Sequence, residues 1–309
     1  MTARHPLLPY AAFVALALIW GVSFLLIKVA VQDMSPAALL LFRSASGFVA
    51  LAAILLVWRR RVFEPGWRSL LFSFVFMAVT NAVIPWISIA WGEERISSGL
   101  ASILNSTTTL WTAVLIYWVM PSERPTWLNY AGVLLGFAGV VILVYPDIAS
   151  HGLTGDVLGA LAVVLASLSY SVNALYQRRR MRSVSVFQVS IGQLAAGTVL
   201  ALPIAATSLS HVHVQLVSMA AVIALGAFGT GVAYLLYYYV MNSLGAVRAA
   251  GVTFLVPVTA VFWGAILLHE TVNATVVAGM VVIMVGIVLT NFRRSPRTAL
   301  QVERDATAA

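Results

Sequence analysis

Apolar stretches near twenty residues long recur along almost the whole chain. They fall at 9–30, 36–57, 69–91, 97–119, 126–145, 155–177, 184–206, 216–241, 246–268 and 273–292. Each can cross a bilayer core of about 30 Å. In lipid the backbone must satisfy its own hydrogen bonds, so only helices and closed barrels span. Barrel strands alternate over about ten residues, and these runs do not. The chain is therefore read as an all-α membrane protein with ten transmembrane helices. Only 9% of its 309 residues are charged, against about 25% in a soluble domain, too few to cover a soluble fold. The first run is too long for a signal-peptide core and is read as a retained span. No cysteine is present, which removes disulfides, thiol catalysis and Cys-based metal sites.

The basic residues orient the spans. With the N-terminus inside, fifteen of the eighteen Lys and Arg residues fall in cytoplasmic segments, including clusters at 59–61 and 178–180. Lys28 and Arg95 fall on the other side, and Arg43 lies within a span. Such asymmetry over short loops places both termini in the cytoplasm. The net charge of +8 thus records topology and contact with the lipid bilayer. No nucleic-acid partner is needed to explain it.

The halves resemble each other. "WGVSFLLIK" (20–28) lies against "YSVNALYQR" (170–178), and "SPAALLLFRSASG" (35–47) against "SVFQVSIGQLAAG" (185–197), both at an offset of 150. Gly132 and Gly139 match Gly279 and Gly286, and Glu123 matches Glu270, at 147. Several coincidences at one offset indicate a duplication. The expected units are 1–148 and 149–309, five spans each. Five is odd, so the second unit enters the membrane from the opposite face. Such inverted repeats underlie alternating access in many carriers, with the substrate site at the repeat interface.

The chain resembles ten-span carriers of the drug/metabolite transporter superfamily built from two EamA-type repeats. The resemblance rests on "ALIWGVSFLLIK", "LLLFRSASGF", "SSGLASILNSTTTLWTAVL" followed by "SERP", and "GAVRAAGVTFLVPVTAVFWGAILLHE". It implies an exporter of amino acids or similar small metabolites in a bacterial inner (plasma) membrane, most similar to the aromatic amino-acid exporters. It also implies a central cavity lined by spans 1, 3, 4, 6, 8 and 9. Two positions depart from the pattern: Thr109 stands where a proline usually precedes "LW", and Val256-Pro257 where Glu-Pro is frequent.

All ten acidic residues, Glu93 and Glu270 among them, and all five histidines fall in loops, at span edges or in the tail. Proton-coupled carriers usually need an intramembrane Asp, Glu or His. The chain is accordingly expected to be an uncoupled carrier driven by its substrate gradient. It has no HExxH and no Ser/His pair at membrane depth, so no enzyme, cofactor or metal is expected.

Candidate binding residues follow from depth and helical spacing. Arg43, about 10 Å into its span at about 1.5 Å per residue, must face water or protein. It either attracts a substrate carboxylate or ties neighbouring spans together through carbonyls and hydroxyls; its counterpart in the second half is Gln193. Polar stripes contribute Trp20 and Ser23, then Thr80 and Asn81, then Asn105 and Thr109, then Tyr170 and Asn173, then Tyr234 and Tyr238. Hydroxyl and amide groups on such stripes also serve as glue between helices. Trp86, Trp111 and Trp263, with Trp20, lie deep enough to wall a flat amphipathic solute or to pack. Pro85 and Pro257 interrupt spans three and nine, as hinges or static kinks.

The expected function is export of small amphipathic metabolites, best matched by aromatic or hydrophobic amino acids. A multidrug or quaternary-ammonium exporter is the alternative within the same class. A receptor or scaffold without transport is the alternative outside it. Nothing in the sequence sets the oligomeric state, and a monomer is compatible with it.

Overall fold

The computed structural model describes residues 7–119, 126–151, 155–209, 215–244 and 251–291, with seven side chains inside helices (147, 149–151, 238, 242 and 291) excepted. Among them the chain is all-helical, without strands. Its segments are α1 (Leu8–Ala30), α2 (Pro36–Val57), α3 (Trp67–Glu93), α4 (Ser98–Val119), α5 (Trp127–His151), α6 (Gly155–Arg180), α7 (Val186–Ala205), α8 (Leu216–Met241), α9 (Val252–Leu267) and α10 (Ala274–Asn291). Eight are long and apolar enough to cross a membrane. The two shorter apolar helices are Val252–Leu267 and Ala274–Thr290. Exposed apolar faces occur along the bundle, as with Val49, Phe72, Leu134, Leu161, Val199, Phe228, Phe262 and Val285. Surface of this kind belongs against lipid, and the chain is a multi-pass membrane protein.

Helix starts obey local chemistry. Ser35, Ser97 and Ser185 accept from the backbone N–H three residues on at 3.1–3.2 Å, each capping the helix that follows. Pro36 sits in the first turn of α2, where its missing N–H costs nothing. Two helices carry π-helical turns near their middle, Val79–Val83 in α3 and Ala227–Val232 in α8. Pro85 follows the first directly, in the opening turn of the α-helix that resumes at Ile84. Pro257 lies inside α9, which continues through it.

Packing pairs segments across the sequence. α1 packs on α8 and α9, and α6 on α3 and α4; α2 packs on α7 and α8, and α7 on α3; α5 packs on α10. The α5–α10 contact is close because glycines face each other. A Cβ on Gly286 would meet the carbonyl oxygen of Gly132 at 2.7 Å, and one on Gly139 that of Gly279 at 3.0 Å. Backbones that approach this closely gain dispersion contact where no hydrophobic effect operates between helices.

Contacts at the two ends fix helix directions. At one end Lys28, in the last turn of α1, donates to the carbonyls of Glu93 and Ile96. There Ser218 near the start of α8 donates to Asp33, and Glu270 reaches the start of α4. At the other end Glu64 accepts from Ser185 at 2.6 Å and its N–H donates to Gln188. Asn129 near the start of α5 donates to the carbonyl of Thr290 at 2.7 Å there. Arg4, Arg124, Arg248, Glu123 and the tail after 291, used above for orientation and repeat, lie outside the described residues.

Candidate substrate cavity

A cavity of about 410 Å³ lies among α1, α2, α3, α4, α6, α8 and α9. Trp20, Ser23, Arg43, Asn81, Trp86, Asn105, Thr109, Tyr170, Asn173, Tyr234 and Pro257 line it. They come from seven helices and are brought together only by the tertiary fold. Thr80 lies behind the wall, buried, donating to the Phe76 carbonyl at 2.9 Å and to Asn173 Oδ1 at 3.4 Å. Trp111 packs edge-on against Phe137 of α5, and Trp263 against Phe262; neither lines the cavity, nor does Pro85. The indole N–H groups of Trp111 and Trp263 are buried without an acceptor among the described residues. The side chain of Tyr238 lies outside the described part.

Arg43 dominates the electrostatics. It is 8% exposed, its guanidinium lies 4.0 Å from the Trp86 ring centroid, and Nε donates to Thr230 at 3.4 Å. The ion pair recorded among the described residues is Arg95–Glu94; no carboxylate pairs with Arg43. Its two Nη groups have no hydrogen-bond acceptor among the described residues. Stacking on an indole face supplies cation–π attraction but leaves the guanidinium fork open for a planar, bidentate partner.

Beside it an amide network holds the wall in shape. Asn81 donates to Gln193 and to the Tyr234 hydroxyl, both at 3.2 Å. Gln193 donates to the same hydroxyl at 3.1 Å, and Asn173 to Asn81 Oδ1 at 3.1 Å. Gln193 was legible only as the repeat partner of Arg43. Each of the pair reaches the other half: Arg43 touches Thr230 of α8, and Gln193 touches Asn81 of α3.

Ser102 and Asn105 of α4 line the cavity, but Ser102 Oγ and Asn105 Oδ1 are themselves buried, without a partner among the described residues. Apolar walls complete it. Trp20 and Tyr237 hold their ring centroids 5.7 Å apart, with Phe24, Ile27 and Val256 nearby. Ser106, Thr108, Gln177 and Thr253 also line the cavity, and no sequence stripe singled them out. Gly229 has a steric signature, since a Cβ there would sit 2.8 Å from Ser23 Oγ.

Glu93, which the sequence places at a span edge, is the last residue of α3 and is 0% exposed. α3 runs two residues further than its apolar pattern, because the Lys28 ammonium and the packing of Gly92 on α6 enclose its final turn.

Comparison with known proteins places this geometry. The sequence model of the EamA-like transporter family matches twice, at residues 7–145 and 157–292. An uncharacterized transporter of Archaeoglobus fulgidus is 25% identical, over 87% of this chain and 93% of its own. The uncharacterized inner membrane transporter YedA of Escherichia coli is 26% identical, over 94% and 92%. A solved crystal structure, titled only as that of a protein, superposes with a TM-score of 0.65 at 19% identity, covering 92% of this chain and 96% of that one, and shows the same fold. With the family matched over both halves, and with relatives that are named as transporters, the chain is a membrane transporter of the EamA-like family.

Proposed function

We propose that the protein exports small amphipathic amino acids, aromatic or hydrophobic ones best, by alternating access in a bacterial inner membrane. The observation that carries the reading is Arg43: a buried guanidinium at a cavity wall, stacked on Trp86, with no carboxylate in ion-pair contact among the described residues. A substrate carboxylate completes it. The Trp20–Tyr237 wall suits an apolar or aromatic side chain. The volume falls in the range of small-ligand pockets, about 300–1,000 Å³. A cationic drug would meet Arg43 with like charge, which disfavours the quaternary-ammonium reading.

The transport cycle rests on two inverted units, 1–148 and 149–309, with both termini cytoplasmic. Several observations support this. The family model matches each half once. Exchanging the halves maps the α1–α8 and α1–α9 contacts onto α6–α3 and α6–α4. The end contacts run α1 and α6 in opposite senses, and likewise α2 and α7. Both π-helical turns fall at equivalent places, with Thr80 and Thr230 at the same offset of 150 as Arg43 and Gln193.

The test is counterflow of radiolabelled phenylalanine in liposomes containing only this protein, with competition by a panel of amino acids and tetraethylammonium. Saturable flux blocked by amino acids is expected. Flux competed only by the cation replaces the substrate class, and no flux of any probe favours a receptor or scaffold.

A further inference from the structure

Glu93 is buried where the substrate cavity has no use for it. Neither carboxyl oxygen has a hydrogen-bond partner among the described residues. Trp86 and Ile89 of α3 line the cavity, and Glu93 follows on the same face one turn beyond Ile89. On α1, Phe24 and Ile27 line the cavity and Lys28 comes next. The two helices therefore bring Lys28 and Glu93 together just past one end of the cavity, on the side that the topology makes external.

Lys28 does not bond the carboxyl group. Its ammonium is engaged by the backbone carbonyls of Glu93 and Ile96, where it complements the C-terminus of α3. The charged groups that act on Glu93 are Lys28 from α1, Glu270 from the segment between α9 and α10, and Arg43 from α2. From α6 the facing surface at Gly92 is Gly159 and Val163, without charge. Glu94 and Arg95 pair with each other. An unpaired carboxylate in such a place is costly in its charged form, and ionisable groups within membrane-spanning segments are functional as a rule.

We propose that Glu93 is the coupling-ion site of the carrier and that the ion is a proton. A metal cation needs several oxygen ligands, and the carbonyls closest to hand already hold an ammonium. A proton needs only the carboxyl group. It arrives from external water when the end of α3 opens and leaves through the cavity, which Ile89 one turn away lines, once that cavity opens to the other face, exchanged for outgoing substrate. Export is then driven by the inward proton gradient rather than by the substrate gradient alone. This rests on the carrier reading but not on the identity of the substrate.

The experiment has two readouts on the full chain in liposomes. In infrared difference spectra between acidic and alkaline buffer, every titrating carboxyl group contributes a carbonyl stretch, and the wild type is expected to show one such band that the Glu93→Gln spectrum lacks. Identical spectra overturn the proposal whatever the substrate is. For flux, an imposed proton gradient is expected to raise phenylalanine accumulation at least tenfold in the wild type. Glu93→Gln, which keeps the shape of the neutral carboxyl group, retains counterflow and falls to the gradient-free level. A wild type indifferent to the gradient, or a Glu93→Gln that still follows it, overturns the coupling. If phenylalanine is not carried at all, the substrate reading fails, and the infrared band alone decides the proton site.

Discussion

Arg43→Gln separates a substrate anchor from a structural lock. The wild-type guanidinium makes one long hydrogen bond to Thr230 and stacks on Trp86, while its Nη groups meet no acceptor among the described residues. A carboxylate bridging those groups gains charge-assisted hydrogen bonds, worth about 1.5–3 kcal/mol net. Gln, the residue present at the repeat-related position 193, recovers at most one neutral bond. The expected loss is about 2–3 kcal/mol, or about 30- to 150-fold in apparent affinity. It should appear in the counterflow Km for phenylalanine and be nearly absent for phenylalaninamide, which has no carboxylate. Thermal unfolding in detergent should be unchanged or improved, because an uncompensated buried charge has been removed. Equal loss for both probes, or lowered stability with unchanged Km, would refute the anchoring role.

Three further outcomes are expected. Glu270 accepts from the N–H groups of Ser98 and Gly99 at 2.7 and 3.1 Å and from Ser98 Oγ at 3.0 Å, so it caps α4 from across the sequence. Glu270→Ala should cost about 1–2 kcal/mol, read as a melting temperature lower by several degrees in detergent, with Glu270→Gln intermediate. Gly286→Ala forces a Cβ onto the backbone of Gly132 and Gly136; it should destabilise by about 1–3 kcal/mol while leaving the Km of surviving protein unchanged. Because the chain lacks cysteine, single cysteines at 61, 94, 182 and 272 report topology directly. An impermeant maleimide on intact cells should label 94 and 272 and spare 61 and 182; labelling of 61 together with 94 would rule out the proposed orientation.

Depth and periodicity made much of the cavity wall legible. Trp20, Ser23, Asn81, Asn105, Tyr170, Asn173 and Tyr234 were visible because polar groups on an apolar helix must face something other than lipid. For Trp111 and Trp263 depth left packing and cavity wall both open. They pack against Phe137 of α5 and the adjacent Phe262, and depth alone does not say which neighbour a side chain meets. Gln177 escaped for the converse reason: it ends its span, where a polar residue carries no signal; Thr253 fell on no polar stripe.

The sequence alone determined that this chain lives in lipid as a helical bundle, because bilayer thickness and backbone hydrogen bonding admit few alternatives for recurring twenty-residue apolar runs. It also marked Arg43 as a group that lipid could not surround. Only the tertiary structure decided what that arginine meets, since Trp86 and Thr230 lie 43 and 187 residues away along the chain. It alone decided that Glu93 is sealed in. Hydropathy counts residues along one helix, whereas burial of a charge at a helix end depends on which other helices close over it.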